Sequence, residues 1–82
     1  MKFEVEINVM PLKDLLDPQG KAVLGGLANL GITEVKDVRV GKHITLSVEA
    51  ASAEAARSIA ENASRQFLAN QVMEHFEITI NG

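Results

Sequence analysis

Residues 2–9 read Lys2-Phe3-Glu4-Val5-Glu6-Ile7-Asn8-Val9, a strict alternation of polar and apolar side chains. Successive side chains of an extended chain point to opposite faces, so Phe3, Val5, Ile7 and Val9 share one face and Lys2, Glu4, Glu6 and Asn8 the other. The stretch predicts a β-strand with one buried face, stopped at Met10-Pro11 because proline has no backbone N–H to donate. The same period returns in Ile44-Thr45-Leu46-Ser47-Val48 and in Phe76-Glu77-Ile78-Thr79-Ile80. Val35, Val38 and Val40 lie before Gly41-Lys42, so residues 34–48 read as a β-hairpin. Its first strand carries a bulge or a late start, since Val35 to Val38 breaks the alternation.

Between these strands the period changes to that of a helix. Asp17-Pro18-Gln19-Gly20 is a helix start. Proline disfavours the α conformation at Asp17, which suits an N-cap, and suits the first helical position itself. The Asp17 carboxylate can accept free N–H groups at the positive end of the helix dipole. Val23, Leu27 and Leu30 come next at helical spacing, and Gly31 is placed to cap the C-terminus. Gly25-Gly26 lies inside this helix at a cost of about 1 kcal/mol per glycine relative to alanine; it is either tolerated or allows another backbone to approach. A second helix, capped by Ser52 and running to about Leu68, shows the apolar stripe Ala56, Ile59, Ala60, Ala63 and Phe67. Its alanines would let it lie close to a sheet.

The order is β-α-β-β-α-β. Two helices cannot cover both faces of a four-stranded sheet, so an α+β, ferredoxin-like fold is expected, with both helices on one face of an antiparallel sheet. The chain has 82 residues, enough for one domain spanning 1–82. A domain this small is marginal unless it is stapled, metal-bound or associated.

Composition mostly excludes. There is no cysteine, hence no disulfide framework and no thiolate metal site. Eight basic and eleven acidic residues leave a net charge of −3, against the basic face that phosphate contacts require, so no nucleic-acid partner is expected. The N-terminus is no signal peptide and no apolar run approaches the ~20 residues of a membrane span. A cytoplasmic protein without a membrane partner is the expectation.

Catalytic groups are equally scarce. His43 and His75 have no second histidine or carboxylate at metal-ligand spacing, and no serine stands in a nucleophile-elbow context. Glu74-His75 could be drawn as a general base, but reads more simply as the solvated start of a strand. Arg39-Val40-Gly41-Lys42 could cradle a phosphate between two cations; alternatively Gly41 only supplies the positive φ of a tight hairpin. No catalytic residue, metal site or cofactor site is assigned. Among functions hosted by this topology, an ACT-type amino-acid sensor survives, because Asp17-Pro18-Gln19-Gly20 fits its loose D-x-x-G loop.

Three motifs, taken together and in this order, resemble the PurS family, the small subunit of phosphoribosylformylglycinamidine (FGAM) synthase. They are Leu16-Asp17-Pro18-Gln19-Gly20 with Ala22-Val23; Leu30-Gly31 with Val35, Val38-Arg39-Val40-Gly41-Lys42; and Leu68-Ala69-Asn70 with Val72 and Glu74. The resemblance implies a subunit of a ligase that converts formylglycinamide ribonucleotide, ATP and glutamine into formylglycinamidine ribonucleotide. It implies a homodimer, or a tetramer, that bridges a large synthetase subunit and a glutaminase subunit and supports ammonia transfer. ATP and Mg would then belong to the large subunit, with no cofactor on this chain. Asp17, Pro18, Gln19, Gly20, Arg39, Gly41, Lys42 and Asn70 become interface candidates, Asn70 also as a cap of the second helix.

Overall fold

The computed structural model describes residues 1–81. The elements are β1 (Lys2–Pro11), α1 (Pro18–Asn29), β2 (Lys42–Glu49), α2 (Ala53–Ala63), continued by a π-helical turn over Ser64–Leu68, and β3 (Glu74–Asn81). β1 lies between β2 and β3 and is antiparallel to both. The alternation in residues 2–9 does what its period requires. Phe3, Val5, Ile7 and Val9 are buried, with Val5 opposite Leu46 on one side and Ile80 on the other. α2 lies on this face, and Ala56 and Ala60 are fully buried against it. A methyl is all that fits where a helix backbone sits this close to a sheet.

The end of α2 differs from the expected stripe. The Ala69 N–H donates to the Ser64 carbonyl at 2.9 Å, an i to i+5 bond that inserts one residue into the helical ladder. One extra residue rotates the rest of the helix by about a third of a turn. Ser64 still follows the buried line of Ala56 and Ala60 at i+4 spacing, Ala69 turns inward after the insertion, and Phe67, expected in the core, is 89% exposed.

The larger difference concerns the fourth strand and the first helix. Among the described residues the sheet has three strands, and residues 35–40 pair with none of them. The expected hairpin over residues 34–48 is absent, because the chain does not double back along β2. It reaches β2 from the far end of β1, where Lys42 pairs with Val9. Gly41 is needed there for a close approach, not for a tight turn: a Cβ would run into the Val9 carbonyl oxygen and the Met10 sulfur. Gly31 is the described glycine with positive φ (85°), and it ends α1 as expected.

α1 starts where the proline places it, capped by Asp17, yet it packs on neither the sheet nor α2. Val23 is 45% exposed and Leu30 77%. The chain measures 51 by 24 by 14 Å, with a radius of gyration of 16.1 Å. A compact chain of this length would have about 12 Å. Both helices on one face is thus not the arrangement of the single chain. α1 and the residues after it form an arm that leaves the body.

Candidate interface at the root of the first helix

The arm is held at its root by two side chains. Asp17 uses its two carboxylate oxygens on different segments. Oδ1 accepts from the Gly20 N–H at 3.0 Å, which caps α1, and Oδ2 accepts from the Val40 N–H at 2.8 Å. One carboxylate thereby ties the start of the arm to the segment that leaves it 23 residues later. Gly20 is buried in the joint, where a Cβ would meet the Val38 carbonyl oxygen and the Asp17 carboxylate.

Arg39 completes the joint from the other side. Its Nη2 donates to the carbonyls of Pro11 (2.8 Å) and Leu12 (2.6 Å), and Nη1 to that of Lys13 (3.4 Å). Its Nε lies 4.0 Å from Asp17 Oδ2, a charge interaction too long for a hydrogen bond. A planar guanidinium with five donors can gather several carbonyls of one turning loop, which a lysine cannot.

Lys42 ties in the third motif. Its Nζ donates to the Leu68 carbonyl at 3.1 Å and lies 3.8 Å from Glu74. Glu74 in turn accepts from the Asn70 N–H at 2.8 Å. Asn70 does not cap α2. Its side chain accepts from the Val72 N–H (3.0 Å), and its carbonyl accepts from Met73 and Glu74 N–H, so it organises the turn into β3. The Leu12 N–H donates to the Met73 carbonyl at 2.8 Å and closes the circuit. Three motifs far apart in the chain thus meet around one junction. Beside it is a cleft of about 310 Å³ lined by Leu15, Leu16, Pro18, Gln19, Asn70 and Met73, with Leu16 largely exposed.

The electrostatics are those of a fastener. The Asp17 carboxyl is held below its usual range, chiefly by the hydrogen bond from Val40, then by that from Gly20, with Arg39 adding a smaller attraction. A carboxyl whose pKa is lower folded than unfolded stabilises the fold above its unfolded value, near ~4. That contribution falls as the pH drops through the unfolded and then the folded pKa. Urea midpoints measured from about pH 6 down to about pH 3 are therefore expected to fall more steeply for the native chain than for Asp17→Asn.

The cations and carboxylates of the junction are engaged by one another and by backbone. Arg39 is engaged by carbonyls and Lys42 by Leu68 and Glu74, so the two cations do not form a phosphate cradle. Glu74 starts β3 as expected and His75 beside it is exposed, but Glu74 itself is half-buried, with its carboxylate engaged by the Asn70 N–H and facing Lys42. Among the described residues no three His, Cys, Asp or Glu side chains stand close enough to hold a metal ion. Sequence spacing misses one pairing: cross-strand register brings His43 Nδ1 to 2.6 Å from Asn8 Oδ1 and Nε2 to 3.5 Å from Glu6, on the open face of the sheet. That is an exposed polar cluster without a nucleophile. No described helix is long and apolar enough to cross a membrane.

Comparison with known proteins points the same way. The family model for PurS, phosphoribosylformylglycinamidine (FGAM) synthase, matches residues 4–82. The PurS subunit of Synechocystis sp. is 40% identical over 79 residues, covering 94% of this chain and 79% of the relative. That of Bacillus subtilis is 32% identical over 95% of this chain and 92% of its own. Among solved structures, B. subtilis PurS superposes with a TM-score of 0.89 at 31% identity, over 98% of this chain and 99% of that one. A chain of the PurLQS structure from Thermotoga maritima gives 0.90 at 32% identity, over 99% of both chains. An ACT-type reading of Asp17-Pro18-Gln19-Gly20 finds no support in these relatives. With the family match covering nearly all of its length and the fold agreeing, the chain belongs to the PurS family of FGAM synthase.

Proposed function

We propose that this chain is the non-catalytic small subunit of an FGAM synthase, a cytoplasmic ligase complex of purine biosynthesis, and that it holds a large synthetase subunit and a glutaminase subunit in register. The observation that carries this reading is the junction itself. Asp17, Arg39 and Lys42 tie the three motifs together at one surface, beside a cleft lined in part by Leu15, Leu16, Pro18 and Met73. ATP and Mg, in this reading, sit on the large subunit. The PurLQS structure from T. maritima, which contains a chain of this fold, favours partners of that kind.

Ammonia released by a glutaminase into water at neutral pH is mostly protonated and loses its nucleophilic lone pair. The two active sites must be coupled through a shielded path, and rigid positioning can supply that coupling without a catalytic group. The chain acts as a homodimer, a tetramer being two such pairs, and its fourth strand forms on association. Reconstitution tests the adaptor role. Large and glutaminase subunits without this chain are expected to lose glutamine-dependent product formation, and adding the chain restores it. Full-rate synthesis from glutamine in its absence would overturn the reading.

A further inference from the structure

The side of the sheet turned away from α2 carries the other half of each strand's alternation. Lys2, Glu4, Glu6 and Asn8 of β1 stand there, with the residues opposite them in register on β2 and β3. Apart from Met10 at one end, every side chain on this face is polar or charged, and all but Glu6 and Met10 are exposed. Charge is divided unevenly between this face and the rest of the chain. One lysine (Lys2) and four glutamates (Glu4, Glu6, Glu49 and Glu77) belong to it. Of the eight basic and eleven acidic residues, seven of each remain elsewhere, so the open face accounts for the whole net charge of −3. Two of its carboxylates are engaged within the chain: Glu6 accepts from Asn81 at 2.7 Å, and Glu49 pairs with the N-terminal ammonium at 3.1 Å. Among the described residues no cation pairs with Glu4 or Glu77.

We infer that the open face of the sheet docks a lysine- and arginine-bearing surface of one of the two other synthase subunits. The spacing of the carboxylates decides the size of the ligand. Glu49 lies opposite Lys2 and Glu77 opposite Asn8, six residues apart along β1, which is about 20 Å. Only a protein surface meets both, and among the described residues no three His, Asp or Glu stand close enough to share a metal ion. The sign of the charge decides the chemistry: four carboxylates against one lysine repel phosphates and a second copy of the same face alike. Three strands by eight residues present on the order of 400 Å², about half of what one partner contributes to an interface of ordinary size. The face is therefore the charged part of a wider contact, and such parts set the rate and orientation of encounter more than the affinity. Thr45, Ser47 and Thr79, exposed between the carboxylates, offer hydroxyls that accept from the same basic side chains. The inference rests on the reading that the chain is a synthase subunit and adds which face, and which charge, meets the partner.

Association kinetics test it. The synthetase and glutaminase subunits are immobilised in turn, and binding of the full chain is followed at about 25 mM and about 300 mM NaCl, on either side of ordinary screening. With one of them the association rate constant is expected to fall about tenfold or more between the two salts. Glu4→Gln combined with Glu77→Gln removes two exposed charges at constant size. It is expected to slow association about threefold or more at low salt, to match the native chain at high salt, and to leave dissociation nearly unchanged. Glu54→Gln combined with Glu61→Gln removes the same charge from α2, on the other side of the sheet, and is expected to associate at the native rate. Coincident far-ultraviolet spectra establish that both variants fold. A sheet variant as fast as the native chain at low salt would overturn the inference, and equal slowing by the α2 variant would assign the effect to net charge and overturn it too. So would self-association of the native chain, seen by light scattering, that only the sheet variant alters, because the face would then belong to a second copy. If the native chain binds neither subunit, the adaptor reading and the face fall together; if it binds and the sheet variant is indistinguishable from it, the face alone is wrong.

Discussion

Gly20→Ala is expected to destabilise the chain by about 2–3 kcal/mol, although Ala is the better helix former by roughly 1 kcal/mol. Position 20 is in the first turn of α1, where the methyl alone would help. The added carbon would run into the Val38 carbonyl oxygen and crowd the Asp17 carboxylate. Val38 cannot simply retreat, because its neighbours Arg39 and Val40 are bonded to Pro11, Leu12 and Asp17. The clash is with backbone, so no side-chain rotation relieves it, and the loss of the joint outweighs the helix preference. Urea unfolding at fixed protein concentration measures it: a lower midpoint with an unchanged slope is the expected signature. A midpoint equal to or above that of the native chain would mean that the joint yields without cost.

How much of this is legible in the sequence depends on the range of the interaction that decides each element. The alternation of Phe3, Val5, Ile7 and Val9 is local, and the buried face obeys it. Asp17-Pro18 and Gly31 are local signals as well, and α1 starts and stops by them. Val35, Val38 and Val40 carry the same kind of strand signal, yet Arg39 and Val40 are drawn instead to Pro11, Leu12 and Asp17. Strand pairing needs an edge to pair with, and only the tertiary path decides whether the chain passes one. Phe67 leaves the expected stripe for a smaller reason, one inserted residue at the π-helical turn, which no periodicity count over α2 contains.

The candidate residues divide in the same way. Asp17 reads as a cap, which it is, but spacing cannot reveal its second oxygen on Val40. Arg39, Gly41 and Lys42 group by adjacency as a turn. The structure sends them in different directions, to the end of β1 and the loop after it, the Val9 backbone with the Met10 sulfur, and the turn before β3. Glu74, without a role by residue-level reading, joins Lys42 to Asn70. What the motifs have in common is therefore a place in the fold.

Arg39→Lys is expected to be nearly as damaging as Arg39→Ala, each lowering stability by about 2–3 kcal/mol, the scale of hydrogen bonds made by a charged donor. The charge survives in the lysine variant, so an interaction that depended on charge alone with Asp17 would be largely retained. The geometry points elsewhere. Asp17 lies 4.0 Å from Nε, whereas Nη2 makes short bonds to the Pro11 and Leu12 carbonyls and Nη1 a longer one to Lys13, three consecutive carbonyls at the end of β1. A lysine ammonium is a single point at the end of a flexible stem and cannot span that set. Losing these bonds also frees one end of the arm, whose direction is then no longer fixed. Urea midpoints of both variants separate the possibilities. Both variants falling together is the expected outcome. A lysine variant that keeps the native midpoint while alanine loses it would assign Arg39 a charge role instead of a geometric one.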